Sequence, residues 1–267
     1  MASPDVPKNA ELRRLAESDI PVLAFRFTRL KEREWAPSHS HPRGQLFALT
    51  KGLLVIETAG ARWMFPSGHC AWIPPGFVHR ARSFGGASGS MLFLSPELCR
   101  HLPAEPSIPT GSELLFALIN RIHGWNNAPP GSAPQCRLLK VLEDEVRTAA
   151  SHPLRLPVPG RPSLARVAHA LLSNVARRRT LDEWASEAGM SRRTFMRAFT
   201  AEMGMSFGRW RQMARLFCAL ELLAQGESAT NAAFTVGYAN VRAFTAAFRT
   251  AFGQTPMKYF AKAGGRS

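Results

Sequence analysis

The chain has 267 residues, 45% of them hydrophobic, and its 34 basic and 19 acidic side chains give a net charge of +15. This length and hydrophobic content suffice for two folded domains and exclude wholesale disorder. No apolar run approaches the roughly 18 residues that span a bilayer, so no membrane partner is expected. The polar, acid-containing N-terminus is unlike a signal or transit peptide, so a cytoplasmic location is expected. The four cysteines form no C-x-x-C pair, which argues against a zinc finger.

The positive charge is concentrated towards the C-terminus. Residues 161–267 carry 16 basic and six acidic side chains, whereas residues 1–160 carry 18 and 13. A basic region of this kind is typical of proteins that bind a polyanion such as nucleic acid. The alternative is a basic surface that serves solubility alone.

Residues 21–95 are predicted to be β-structure, preceded by a polar arm over residues 1–20. Short runs rich in apolar, β-branched and aromatic residues are separated by Gly and Pro at the intervals typical of a sandwich or a barrel. The predicted strands lie at 21–29, 45–52, 53–60, 61–68, 70–76 and 91–97.

The pattern becomes helical after this region. Helices are predicted over 112–125 and 134–150, where apolar residues recur with helical spacing. Residues 151–162 contain four prolines, so they cannot be helical throughout and are predicted to form a linker. Residues 111–158 are therefore assigned as joining helices and a Pro-rich linker.

The second joining helix carries an apolar stripe at positions i, i+3 and i+7. The stripe consists of Leu139, Leu142 and Val146. Two interpretations of it have equal weight. The stripe either packs onto the β-region, or it transmits a signal or dimerises the chain.

Every segment after the linker has helical periodicity. Thr180 and Glu183 have capping-box spacing before a helix. A long amphipathic helix is predicted from Ser206 to about Gln225. Pro256 suits the first turn of a last helix.

This helical region contains an internal repeat with a period of 49 residues. The repeated pairs are Ser191 and Asn240, Phe195 and Phe244, Ala198 and Ala247, Phe199 and Phe248, and Gly204 and Gly253. Each unit has a short helix, a turn containing Gly189 or Gly237, a capping residue and a second helix, which is the pattern of a helix-turn-helix. The long helix would hold two recognition helices about 34 Å apart, the spacing of successive major grooves on one face of DNA. An ordinary helical bundle is the alternative.

The positions between the paired phenylalanines are predicted to face outward and to contact DNA. In the first unit they include Arg192, Arg193, Thr194 and Arg197, and in the second they include Val241, Arg242 and Thr245. Arg209 and Arg249 are placed near the DNA backbone.

The motifs EWASEAGMSRRTFMRAFTAEMGMSFGRWRQMARL and AAFTVGYANVRAFTAAFRTAFGQTPMKYF carry a family resemblance. Residues from about 159 to 262 resemble the DNA-binding domain of AraC/XylS-type transcription regulators, so 159–267 are assigned to that domain. The resemblance implies base contacts by Arg193, Met196 and Arg197 from the first recognition helix, and by Val241, Arg242 and Thr245 from the second.

Two stretches of the β-region match the spacing of the two cupin motifs. The first contains His39, His41, Gln45 and Gly52, and the second, GHCAWIPPGFVH, contains Gly68, Pro74, Gly76 and His79. They resemble the cupin barrel that AraC-type regulators commonly carry as an effector domain, here assigned to residues 21–110. The expected fold class is therefore a two-domain α+β protein, with an N-terminal cupin-like β-barrel, joining helices and a C-terminal all-α double helix-turn-helix domain.

His39, His41 and His79 are the candidate metal ligands, with Gln45 as a fourth. Imidazole suits divalent nickel, zinc, copper or iron. Cupin enzymes have glutamate where this chain has Gln45, and a neutral amide adds no negative charge to the site. In the alternative interpretation, the histidines bind an organic effector or one another through hydrogen bonds. Neither a Ser-His-Asp spacing nor a phosphate-binding loop is visible, so no catalytic residue is predicted.

The sequence therefore predicts a sequence-specific transcription regulator that is not an enzyme. It would bind double-stranded promoter DNA, and its cupin-like domain would sense a transition-metal ion or a small ligand. One rival is a metal-dependent cupin enzyme fused to a DNA-binding domain, and another is a protein that binds nucleic acid through charge alone. RNA polymerase and a second copy of the chain are further partners to consider.

Overall fold

The computed structural model describes residues 18–30, 36–150 and 154–264. The predicted arm over residues 1–20 lies almost entirely outside the described residues. The chain divides into two compact units. The first contains the residues up to Thr58 together with Trp63–Leu154, and the second contains Ala59–Arg62 together with the residues from Arg155 onwards.

The first unit is built on an antiparallel sheet. Its strands are β1 (Val22–Leu30), β2 (Gly44–Thr58), β3 (Ala61–Pro66), β4 (Cys70–Ile73) and β5 (His79–Leu94). Four of them follow one another in the order β1-β5-β2-β3, and β4 also pairs with β2. The structure thus confirms a β-rich N-terminal domain.

The two strands predicted at 45–52 and 53–60 form one continuous strand, β2. Gly52 does not form a turn between them. It adopts a φ of 78° beside two shifts in the β2–β5 register, which is the behaviour of a glycine in a β-bulge. A Cβ atom there would lie 2.7 Å from the carbonyl oxygen of Phe84, so the close approach of the two strands also requires glycine.

The strand predicted at 91–97 begins much earlier, at His79. The added residues include the sequence SFGGASGS, which has too much glycine and serine to predict a strand. β5 pairs with β1 on one side and with β2 on the other. These two sets of hydrogen bonds outweigh the poor local propensity.

Two helices pack against the sheet, α1 (Glu113–His123) and α2 (Ala133–Thr148), capped by Ser112 and Ser132. The apolar stripe of α2 is buried in one cluster with residues of the sheet. That cluster includes Leu139, Leu142, Val146, Val22, Leu46, Trp72 and Leu92. The stripe therefore packs onto the β-domain and is not exposed for contact with a second chain.

The second unit is helical. Its elements are a short strand β6 (Arg155–Pro157) and the helices α3 (Pro162–Ser173), α4 (Leu181–Glu187), α5 (Arg192–Met203), α6 (Phe207–Ala224), α7 (Ala229–Thr235), α8 (Val241–Phe252) and α9 (Pro256–Gly264). The structure differs in part from the linker predicted over 151–162, because β6 and the first residue of α3 lie within that range. Residues 151–153 are outside the described residues. The indole nitrogen of Trp210 donates a hydrogen bond of 2.8 Å to the carbonyl oxygen of Pro157, which ties β6 to α6.

Local sequence signals correctly predicted the helix ends of this unit. Thr180 and Glu183 form a complete capping box at α4. The side chain of Ser206 caps α6, and the helix ends at Gln225. Among the described residues, no helix is both long and apolar enough to cross a membrane.

Candidate functional site

The helical unit contains two helix-turn-helix units, α4–α5 and α7–α8. Gly189 (φ 67°) and Gly237 (φ 86°) turn the chain, and Ser191 and Asn240 cap the second helices. A Cβ atom on Gly237 would also lie 2.9 Å from the Cα of Ala176, so this turn has no room for a side chain. The two glycines are 48 residues apart, whereas the two caps are 49 apart. The second turn is therefore one residue longer than the first.

Buried phenylalanines fix the orientation of both second helices. Phe195 and Phe199 on α5 are fully buried, and so are Phe244 and Phe248 on α8. The Phe195 and Phe199 rings each lie 5.1 Å, centroid to centroid, from the ring of Phe207. Because one face of each helix is held in the core, the opposite face is presented to solvent.

The exposed face of α5 carries all five residues that were predicted there. They are Arg192, Arg193, Thr194, Met196 and Arg197. Met196 is 46% exposed, an unusual value for a large apolar side chain, and it lines a shallow groove together with the arginines. The groove continues to Thr200 and Ala201, which the sequence analysis missed although they follow Met196 and Arg197 at helical spacing.

The arginines of α5 differ in whether an acidic side chain lies close to their guanidinium groups. Arg192 lies 3.6 Å from a carboxylate oxygen of Asp182. Arg193 and Arg197 make no ion pair with any other described residue. Their guanidinium groups are therefore available to an external acceptor such as guanine or phosphate.

The exposed face of α8 is smaller and less polar. Arg242 and Arg249 are exposed, whereas the predicted contacts Val241 and Thr245 are half-buried. Ala246, between Arg242 and Arg249 in the sequence, is also exposed. Arginine is thus the side chain with the longest reach on both recognition helices.

Other arginines of this unit have structural partners. The guanidinium of Arg211 donates to the carbonyl oxygens of Arg177 (2.8 Å) and Arg179 (3.4 Å). Arg215 Nε donates to the carbonyl oxygen of Val175 at 3.0 Å. These bonds fix the segment that precedes α4, so part of the basic excess holds the fold together.

In the β-domain, the structure brings together the three predicted histidines. His39 and His79 face each other in an antiparallel bridge, with backbone N–O distances of 3.0 and 2.9 Å. Their ring centroids are 4.5 Å apart, and the ring of His41 lies 5.3 Å from that of His79. One ring nitrogen of each histidine lies within 4.8 Å of the others. Among the described residues, these three histidines are the group of His, Cys, Asp or Glu side chains whose ligand atoms lie close enough together to hold an ion.

Backbone carbonyl groups fix the orientation of all three imidazoles. The Nδ1 atoms of His39, His41 and His79 lie 3.0, 2.5 and 2.9 Å from a carbonyl oxygen two residues away along the chain. A carbonyl can only accept, so each Nδ1 carries the proton in the neutral ring and each Nε2 keeps its lone pair. Histidines that bind metals through Nε2 have this arrangement.

Gln45 completes the cluster. It is 3% exposed, and its Oε1 atom lies 3.2 Å from Nε2 of His41. Both atoms carry lone pairs, and their separation is close to the roughly 3.4 Å expected of two ligands that bind one tetrahedral ion at about 2.1 Å. The amide nitrogen of Gln45 lies 2.6 Å from the sulfur of Met91. Met91 was not predicted from the sequence, because its position depends on the register of β5.

Burial keeps two of these histidines uncharged. Removal from water, with a smaller effect of the neighbouring histidines, lowers the pKa of His79 to about 4. Burial also lowers the pKa of His41. Both rings are therefore neutral at pH 7, which is the protonation state that a metal ligand needs.

Comparison with known proteins identifies both units. A model of the AraC-like ligand binding domain matches residues 22–156, more than half of the chain. The chain belongs to the AraC family of transcription regulators. A model of a helix-turn-helix domain matches residues 184–262, the part of this AraC-family chain that contains both recognition helices.

Relatives of this AraC-family regulator include two curated proteins. NimR of Escherichia coli (strain K12), an HTH-type transcriptional regulator, is 31% identical over 233 residues, which are 85% of this chain and 83% of NimR. RipA of Corynebacterium glutamicum, another HTH-type transcriptional regulator, is 38% identical over 108 residues, which are 39% of this chain and 33% of RipA. Since these relatives are regulators, the chain is a member of a regulator family and not of an enzyme family.

Among solved structures, ToxT from Vibrio cholerae O395 resembles this AraC-family chain with a TM-score of 0.40 and 12% identity. The similarity covers 92% of this chain and 99% of ToxT.

Proposed function

We propose that this regulator binds promoter DNA sequence-specifically through α5 and α8, and that its β-domain senses a transition-metal ion. His39, His41 and His79 would hold the ion, with Gln45 beside them. One observation supports the proposal: one ring nitrogen of each histidine lies within 4.8 Å of the others, and all three Nδ1 atoms are bound to backbone carbonyls, which makes Nε2 the nitrogen that can bind an ion. RNA polymerase and a second copy of the chain stay predicted partners.

The bound ion would act as an effector by favouring one arrangement of the β-domain over another. The histidines would supply three neutral nitrogen ligands, and the surrounding apolar side chains would exclude water. Phe93 takes part in this shell, because its ring lies 5.2 Å from the ring of His41 with edge-to-face geometry.

The test is titration of Zn²⁺, Ni²⁺, Cu²⁺ and Fe²⁺ into the full chain, followed by calorimetry. We expect His41→Ala to lose binding of the ion and to retain DNA binding, because the substitution lies outside the helical unit. His101→Ala is the matched control, since His101 is an exposed histidine outside the cluster. Equal, weak binding by the wild type and by His41→Ala would contradict the metal site and favour an organic effector that donates hydrogen bonds to the Nε2 atoms of this pocket.

A further inference from the structure

The histidine cluster has a sulfur atom beside it. Met91 on β5 is 3% exposed, and its sulfur contacts the amide of Gln45, which in turn contacts His41. In the β2–β5 register, Gln45 pairs with Phe93 and Phe47 pairs with Met91. Residues two apart on a strand point to the same face, so Met91 lies on the face that carries the Phe93–His41 contact.

The cluster carries no negative charge. The described residues place no carboxylate or thiolate among the candidate ligands. The only charged groups that shift the pKa values of His41 and His79 are other histidines. An ion bound there would therefore keep its full charge beside two buried histidines, His41 and His79.

This lack of countercharge favours a monovalent ion. The free energy needed to move an ion from water into a low-dielectric site grows with the square of its charge, so a monovalent ion pays about a quarter of the cost of a divalent ion of the same size. A thioether is a soft ligand that selects monovalent copper, whereas imidazole suits divalent zinc, nickel and iron as well, so the sulfur of Met91 is the group that distinguishes copper.

We infer that the ion sensed by this cluster is Cu(I), with His39, His41, His79 and the thioether of Met91 as its ligands. The inference rests on the metal-binding function proposed above and replaces the divalent ion expected from the sequence. The three rotatable bonds of a methionine side chain allow its sulfur to approach the ring nitrogens from its place beside Gln45.

The experiment uses the full chain without oxygen. Cu(I) affinity is measured by competition with a chromophoric Cu(I) chelator, and Zn²⁺ affinity by competition with a fluorescent zinc chelator. Met91→Leu removes the sulfur and nearly conserves volume. We expect it to weaken Cu(I) binding by about tenfold or more and to change Zn²⁺ binding by less than about twofold. X-ray absorption at the copper edge should show a sulfur neighbour in the wild type that Met91→Leu lacks.

Two further variants make the result interpretable. Met64→Leu, which changes another fully buried methionine of the same domain, should leave both affinities unchanged. His41→Ala should weaken both ions. If Met91→Leu leaves Cu(I) affinity unchanged, or weakens both ions equally, or if the wild type prefers Zn²⁺, the copper assignment is wrong while the metal-sensing proposal stands. If the wild type binds neither ion, the metal-sensing proposal itself fails.

Discussion

Arg193 and Arg197 are one helical turn apart on α5, and each presents a guanidinium group without an acidic partner in the described part of the chain. Such a group can bond to both N7 and O6 of a guanine, a contact worth roughly 1–3 kcal/mol of discrimination against another base. We expect Arg193→Ala or Arg197→Ala to relax specificity at one or two base pairs. The measurement is selection of bound sequences from a random pool.

Arg249→Ala is the control for this experiment. Arg249 is exposed on α8 and was assigned to the DNA backbone, so its loss should weaken all sequences alike and reduce the slope of affinity against salt by about 1. If both α5 variants select the same bases as the wild type, α5 does not read the sequence.

Burial of His79 also predicts how stability depends on pH. The pKa of His79 is about 4 in the folded chain, below the value of about 6.5 for a free histidine. As the pH falls from 6.5 to 4, the unfolded chain takes up a proton that the folded chain excludes. The free energy of unfolding is therefore highest above pH 6.5 and decreases towards pH 4.

The measurement is urea denaturation of the metal-free chain at pH 7.5 and at pH 5. Unfolding of the β-domain is detected by hydrogen exchange in peptides from β2 and β5. We expect His79→Gln to show a smaller difference between the two pH values than the wild type. An equal pH dependence in both proteins would mean that His79 does not titrate on unfolding.

At the scale of elements, the turn of the second helix-turn-helix depends on Gly237. We expect Gly237→Ala to destabilise the helical unit more than Gly253→Ala does. Both glycines have a positive φ, which costs an alanine about 1–2 kcal/mol. Only at Gly237 would the added Cβ also meet backbone, whereas nothing lies within 4 Å at Gly253. Thermal unfolding checks the order, and equal losses would show that the Ala176 segment moves away.

Elements defined by neighbouring residues were predictable from the sequence. Thr180, Ser206 and Asn240 each cap a helix through an atom three residues away, so a short window of sequence contains the whole interaction. The limits of β2 and β5 were not predictable in this way. Their length depends on strands distant in the sequence, and so does the position of Met91 beside Gln45.

At the scale of the whole molecule, the proposed sensor and the DNA-binding unit must be linked in both directions. If the ion changes the affinity for DNA by some factor, DNA changes the affinity for the ion by the same factor, and such factors are commonly about 5 to 150. We expect saturation with a selected DNA site to shift the dissociation constant of the ion accordingly, as measured in a competition titration. If DNA and the ion bind without affecting each other, the ion is not the effector.

The carbonyl groups that anchor the three imidazoles also bear on how tightly the cluster can bind a ligand. A side chain that must be ordered on binding costs about 0.5–1.5 kcal/mol in lost conformational entropy. Here each ring is already fixed through its Nδ1 atom, so folding has met that cost before any ligand arrives. A ligand of the Nε2 atoms therefore meets a preorganised receptor, and its affinity is higher than it would be for three freely rotating imidazoles.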